Sequence, residues 1–355
     1  MTATKRMTLG LGLRPRTASI SKFSDKTLNV LWAGQSNAAK MSTSFSGAGN
    51  AAFKAVLDNY FPTVNSINGA TDGAAIHKAA DSGYGYYWDL AAGTPGPACT
   101  AALTAIDNAG INRKAVDVIV IVHGERDSYA IESATITADQ SKAALLGYIN
   151  YLRAELGNPL ILLTPIGADR ISSAFSGWGQ MRKAIWQLWN EYPSFIHENP
   201  GFWDLAYDDN THLAQAGYEA FGERTARRIL GLLGKIPVAG TLGPSISGVT
   251  FSPSTDRVYI TIAHDAGTDI TITERRGNSV SINGAAYINV PSSVVYINAT
   301  SYQINPATNL LNGDTLTFSW PWGTLVGHTP ANCLKDNATN PMPLRPSFDI
   351  PVTQV

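Results

Sequence analysis

The sequence predicts an α/β fold: a three-layer α/β/α sandwich around a parallel sheet, followed by a small all-β sandwich domain. Three observations carry the prediction. Through the first two thirds of the chain, β-branched apolar runs alternate with helix-periodic segments. A Gly/Pro-punctuated stretch, "GKIPVAGTLGPS" (234–245), then breaks the pattern. Beyond it only short strands separated by turn signals remain. Alternation of strand and helix implies parallel pairing with right-handed crossovers, and closely spaced short strands imply a β-sandwich. The expected division is a basic N-terminal arm (1–25), an α/β domain (26–236) and an all-β accessory domain (237–355).

Taken in order, "TLNVLWA" (27–33) reads as a buried strand and "AAFKAVLDNY" (51–60) as a helix. "TVNSI" (63–67) reads as a second strand, and "PACTAALTAIDNAG" as a helix ended by Gly110. "AVDVIVIV" (115–122) is a continuous β-branched run, the mark of a strand covered on both faces. "DQSKAALLGYINYLRAELG" spaces its apolar residues at three and four, with Gly157 as C-cap. "PLILLTPI" is the next strand and "GQMRKAIWQLWNEY" the next helix. The final helix is read over 211–234, with basic residues in the half where the helix dipole favours them. In the accessory region "RVYITIAH", "TDITITER", "AAYINV", "SVVYINAT" and "DTLTFSWPW" alternate as strands, separated by "RRGNS", "INGA" and "LNGD".

Composition narrows the function. Apolar residues make up 44% and charged ones 15% of 355 residues, enough for a sizeable core. A formal net charge of −1 supplies no field for nucleic acid or an anionic membrane, and no apolar run approaches a membrane span. A surface rich in uncharged polar and aromatic groups suits a neutral ligand such as a sugar. Cys99 and Cys333 lie far apart and fit neither a disulfide framework nor a zinc site. The N-terminal apolar run "MTLGLGL" is cut by "RPR", so no classical signal peptide is read there. What remains is a basic arm (Lys5, Arg6, Arg14, Arg16, Lys22), read first as a frayed tail and second as an oligomer or virion-assembly contact.

Active sites in open α/β sheets gather at the carboxyl ends of the strands. Ser36, in "LWAGQSNAAK", follows the first strand there. As a nucleophile it needs a base, a carboxylate to orient that base, and donors for an oxyanion. Of six histidines, His264 and His328 fall in the accessory region, His197 in the apparent loop "FIHENPGF", His77 after "TDGAAI", and His123 at the end of the central strand. His212 sits in "YDDNTHLA" at the start of the last helix, three residues after Asp209. An Asp-x-x-His spacing lets one short loop present both side chains, although an Asp beside a helix start is also an ordinary N-cap.

Together, "GQSN", "NGATDGAAI", "HGERD" and "DNTH" resemble the motif blocks of the SGNH-hydrolase superfamily, whose fold is flavodoxin-like. Within it, the chain most resembles the sialate O-acetylesterase-like and acetylxylan-esterase-like carbohydrate esterases, over residues 27–232. The resemblance implies Ser36 as nucleophile, His212 as base and then acid, and Asp209 as its orienting carboxylate. It also implies an oxyanion hole from the backbone N–H groups of Ser36 and Gly73. A third donor in these relatives is commonly a Gln, and here that position is His123. No cofactor is implied. Asp208 beside Asp209 raises a metal reading with His212, but no second His at ligand spacing supports it.

Glu125 and Asp127 read as ion-pair or loop-fixing groups, with Glu125 a substitute triad acid only if Asp209 were misplaced. Gln35, Asn37, Tyr86 and Trp88 are the substrate-contact candidates, the last two from the aromatic, glycine-rich segment "SGYGYYWDL" (82–90). Surface packing explains that segment equally well. The expected activity is removal of O-acetyl groups from a glycan or polysaccharide, in a setting that includes a phage tail or prophage. Its rivals are a non-catalytic glycan- or receptor-binding tail component on the same fold, and a lipase-like esterase, for which no apolar lid is seen. The accessory domain is expected to buttress the fold or to bind glycan.

Overall fold

The computed structural model describes residues 27–167, 175–271, 278–284, 288–290, 295–304, 310–318 and 334–355. The basic arm, His328 and Cys333 therefore lie outside the described residues. The α/β part runs β1 (Leu28–Gly34), α1 (Ser36–Thr43), α2 (Ala48–Leu57), β2 (Val64–Asn68), β3 (Ala75–His77), β4 (Tyr86–Asp89) and β5 (Thr94–Pro95). It continues with α3 (Pro97–Asn108), β6 (Val118–Val122), α4 (Glu125–Glu132), α5 (Ala138–Leu156), β7 (Leu160–Thr164), α6 (Phe175–Glu191), β8 (Ile196–Glu198) and α7 (Gln215–Leu232).

Five strands form one parallel sheet in the order β2-β1-β6-β7-β8. Period-2 alternation sorts its side chains onto two cores. Leu31, Ala33, Ile119, Ile121, Ile161 and Leu163 face one apolar cluster, filled from α3, α5 and α6. Val30, Trp32, Val118, Val120, Val122 and Leu162 face the other, filled from α1, α2 and α7. Every residue of β1 and β6 is buried, as their unbroken apolar runs require. This is the α/β/α sandwich read from the sequence.

Local signals fix the helix ends. Thr137 and Gln140 form a reciprocal capping box at the start of α5, and Gly157 ends that helix at φ 76°. Such a cap is worth about 1 kcal/mol. Several readings change, among them α1, which the sequence reading lacked. The His197 segment is not a loop but the short strand β8, parallel to β7. Residues 86–89 of the aromatic segment form β4, which pairs with β3 and β5 in a small side sheet. α4 continues the "HGERD" block as a helix that the sequence reading lacked. α7 begins at Gln215, so His212 lies in the loop before it rather than on its first turn.

The accessory part comprises β9 (Ser245–Ser252), β10 (Arg257–Ala263), β11 (Ile270–Thr271), β12 (Asn278–Ile282) and β13 (Ile288–Val290). It ends with β14 (Val295–Asn298), β15 (Ser301–Ile304), β16 (Thr315–Phe318), β17 (Lys335–Asp336) and β18 (Ser347–Gln354). β18 is shared by two half-sheets. Its first part pairs antiparallel with β16, and after Pro351 it runs parallel to β9. A strand that switches partners in this way makes the corner of a sandwich. Both halves feed one core, with Val249, Ile260 and Tyr302 on one side and Leu316 and Phe318 on the other.

Candidate active site

The sequence "GQSN" makes a turn that only glycine can open. Gly34 has φ +121°, and a Cβ there would sit 1.9 Å from the Val122 carbonyl oxygen. Close approach and a positive φ both exclude any side chain. The Gln35 N–H then donates to that carbonyl at 3.1 Å, and the Gln35 carbonyl accepts from Ala38 and Ala39 to start α1. Ser36 is thus the first helical residue at the carboxyl end of the central strands, 4% exposed. Its N–H belongs to the first turn, whose amides have no intrahelical acceptor and carry the positive end of the helix dipole.

The loop before α7 is closed on itself. Ala214 N–H donates to Ala206 O at 2.9 Å and Asp208 N–H to His212 O at 3.0 Å, leaving Asp209 to Thr211 as the tip. Asp209 Oδ1 accepts from the N–H groups of Thr211 (2.8 Å) and His212 (2.7 Å). Its Oδ2 lies 2.6 Å from His212 Nδ1. The carboxylate caps a turn and holds the imidazole; it does not cap the helix. Burial pushes its pKa up, but the two amides and His212 outweigh this, so the net shift is downward and it stays ionised at neutral pH. With Nδ1 engaged, Nε2 is the nitrogen left to face a substrate.

Asn37 joins the two halves of this arrangement. Its Nδ2 donates to Thr211 O and to Glu125 Oε1, each at 3.1 Å, and its Oδ1 accepts from Tyr218 OH at 3.1 Å. The residue after Ser36 is therefore bonded to the residue before His212. Glu125 is 2% exposed; burial raises its pKa, which the Asn37 hydrogen bond and the nearby His212 partly offset. Asn37, assigned to substrate contact from the sequence, is 1% exposed and engaged with protein groups on both ends. Gln35 is likewise engaged: its Oε1 accepts from the Arg126 N–H at 3.2 Å.

The second block lies against the first. Thr71 N–H donates to Gly34 O at 2.9 Å, and the Tyr87 hydroxyl donates to Gly34 O at 2.6 Å while accepting from Thr71 N–H at 3.1 Å. Gly73, at φ +72°, follows two residues on, and the ring of the exposed Tyr84 covers it. The next strand is held by Asp127, which is fully buried. Asp127 accepts from Ile76 N–H (2.7 Å), His77 N–H (3.0 Å) and Ser141 Oγ (3.1 Å). Burial nevertheless pushes its pKa up to about 6.

His123 directly follows β6 with no exposed surface, its ring 4.9 Å from that of Tyr87 in edge-to-face contact. Neither ring nitrogen has a hydrogen-bond partner among the described residues. Burial lowers its pKa to about 3, so the imidazole is neutral. Of the aromatic candidates, Trp88 packs on Gly147 and Tyr151 of α5. Tyr86 packs over Gly96 beside Lys78. Sequence reasoning missed Tyr84, which covers Gly73, and Tyr87, which ties Gly34 to Thr71; both lie in the aromatic segment, but nothing in its pattern separates inward from outward rings. No group of three or more potential metal ligands occurs among the described residues. A cleft of about 530 Å³ between α5, α6 and the accessory sheet contains none of these site residues.

The structure is thus a parallel α/β/α sandwich with a serine directly after its first strand and a hydrogen-bonded Asp–His pair in the loop before α7. Among solved structures, the chain is similar to a carbohydrate acetylesterase from Xanthomonas citri, at 12% identity and a TM-score of 0.56. That match covers 86% of this chain and 65% of the other, so this chain spans a little under two thirds of that protein's length. It is also similar to an acetylxylan esterase from Geobacillus stearothermophilus (13% identity, TM-score 0.37, 60% of this chain and 95% of that one). A third is a carbohydrate esterase family 3 protein from Talaromyces cellulolyticus (10% identity, TM-score 0.40, 59% and 99%). The first likeness establishes a shared fold, one that a carbohydrate esterase uses. No protein-family model matches the sequence, nor does any curated protein.

Proposed function

We propose that this protein is a serine esterase that removes O-acetyl groups from a carbohydrate. The observation that carries the reading is the Asn37–Thr211 hydrogen bond, which draws the Ser36 turn against the loop bearing the 2.6 Å Asp209–His212 pair. In this reading His212 Nε2 takes the proton from Ser36 Oγ as the oxygen attacks the acetyl carbonyl carbon. The tetrahedral oxyanion is met by the N–H groups of Ser36 and Gly73. His123 supplies a third N–H, since a neutral buried imidazole without a partner gains a hydrogen bond when an oxygen reaches it. The C–O bond to the sugar breaks, and His212 returns its proton to the sugar oxygen. Water then attacks the acetyl-Ser36 ester, gives its proton to His212, and acetate leaves as Ser36 regains its proton. Asp209 holds the imidazole in register throughout.

The test is acetate release from a panel of acetylated glycans and from an activated acetyl ester. Ser36→Ala is expected to lose about 10³-fold or more in kcat. Equal turnover by the variant and the parent would sink the esterase reading. Binding of a glycan without hydrolysis would favour a non-catalytic tail component.

A further inference from the structure

Between β8 and the His212 loop, where Phe202 and Leu205 pack in the α/β core, one side chain reaches into the accessory domain. Trp203 is 1% exposed and belongs to the apolar core of the accessory sheet, with Val249, Ile260, Tyr302 and Leu344. Asp204 beside it is fully buried at its side chain and accepts from both terminal guanidinium nitrogens of Arg224, at 2.6 and 2.7 Å. From β17, Lys335 Nζ reaches Asp204 Oδ2 at 3.2 Å and Asp204 O at 3.3 Å. Arg224, on α7, also donates to Pro341 O at 3.0 Å. Tyr207, one residue past the loop's closing bond, packs against both this core and that of the α/β sheet.

We propose that the accessory domain positions the acid–base pair. The Trp203–Asp204 segment, clamped by Lys335, is the fixed end from which the 206–214 loop presents Asp209 and His212. This rests on the esterase reading above. The other end of the loop is fixed by α7, so Trp203, Asp204 and Lys335 are positioning residues for one side only. Two backbone hydrogen bonds close the loop at its base, and the Asp209 and Asn37 side chains tie only its tip, so the direction in which its upstream end enters is set by the Trp203–Asp204 segment. A displacement of about 1 Å in a catalytic group costs on the order of 10²-fold in rate.

The experiment uses the full chain and two independent readouts. Lys335→Met removes the clamp, while Arg224 keeps Asp204 paired. Kinetics on an activated acetyl ester are expected to show kcat down about tenfold or more with KM within twofold, and Lys335→Arg to restore most of it. Lys183→Met breaks another bridge between the domains, Lys183–Asp349, away from this loop. A general docking role would make the two Met variants alike; positioning requires kcat to fall only in Lys335→Met. The second readout, amide exchange at Asp208 and Ala214, does not depend on activity. Faster exchange there in Lys335→Met, with α7 unchanged, supports the inference. Unchanged exchange overturns it, as does unchanged kcat in an active protein. An inactive parent, or an active Ser36→Ala, overturns the esterase reading and leaves the exchange result to decide this one. Should Lys335→Met fail to fold, Trp203→Phe, which keeps an apolar plug of smaller reach, is read by the same two measurements against the same outcomes.

Discussion

Among the proposed site residues, His123 is fully buried. It directly follows the central strand, packs on Tyr87, and has both ring nitrogens unpartnered among the described residues. Its folded pKa is depressed from 6.5 to about 3 by burial. The unfolded chain therefore binds the extra proton between those values, and the contribution to stability is fully present above pH 6.5 and lost as pH falls towards 3. The slope is about 1.4 kcal/mol per pH unit. Asp127 works in the opposite direction, because its carboxyl is raised to about 6 and its contribution is lost as pH rises through that value. A difference measurement cancels it. Relative to parent, His123→Gln is expected to gain about 2 kcal/mol in urea denaturation between pH 7 and pH 5. A constant difference across that range would show that His123 is not held neutral.

At the scale of elements, the proposed oxyanion arrangement would depend on how β3 is hung. Gly73 has to lie against the Ser36 turn, and the strand that follows it is fixed by one carboxylate on α4. Asp127→Asn keeps the size but offers a single acceptor oxygen to donors that now engage two, with an NH₂ group facing the rest. The expected costs are about 1–3 kcal/mol of stability and a fall in kcat of about tenfold, with KM little changed. Wild-type kcat in the variant would show that β3 does not position the Gly73 amide. This dependence was only partly legible in sequence. "GQSN" was readable as a turn because a glycine after an apolar strand is a local signal, although the helix that Ser36 begins was not read, and the buried β1 and β6 were readable because β-branched runs are local signals too. "HGERD" showed charged residues but not their partners, since Asp127 meets backbone amides 50 and 51 residues away. β8 was invisible for another reason. Three residues at a sheet edge carry too little periodicity to separate from a loop, and pairing with β7 makes them a strand.

For the whole molecule, the question is whether the two parts unfold as one. The sequence marks the junction near residue 236 by its Gly/Pro punctuation, yet no local pattern tells that Trp203, far upstream, belongs to the downstream core. Several contacts cross the junction. They include Arg345 to Glu198, Lys183 to Asp349, Trp186 against Phe348 at 5.5 Å, and Lys335 to the buried Asp204. The exposed Lys183 pair is worth at most about 1 kcal/mol. The Asp204 cluster differs because its carboxylate is buried. Burial alone would raise its pKa, but Arg224 first and then Lys335 reverse this to a net lowering. Its contribution is present above the unfolded carboxylate pKa and is lost as acidification proceeds through the lower folded value. A chain ending at residue 236 would keep Arg224 but lose Lys335, and would expose Trp203 together with the apolar edge of Tyr207. The truncated protein is therefore expected to aggregate, and the intact chain to unfold in a single transition by both calorimetry and circular dichroism. Two separated transitions in the intact chain, with a soluble α/β fragment of undiminished activity, would mean that the β-sheet domain is a passenger and that the loop carrying Asp209 and His212 holds its shape unaided.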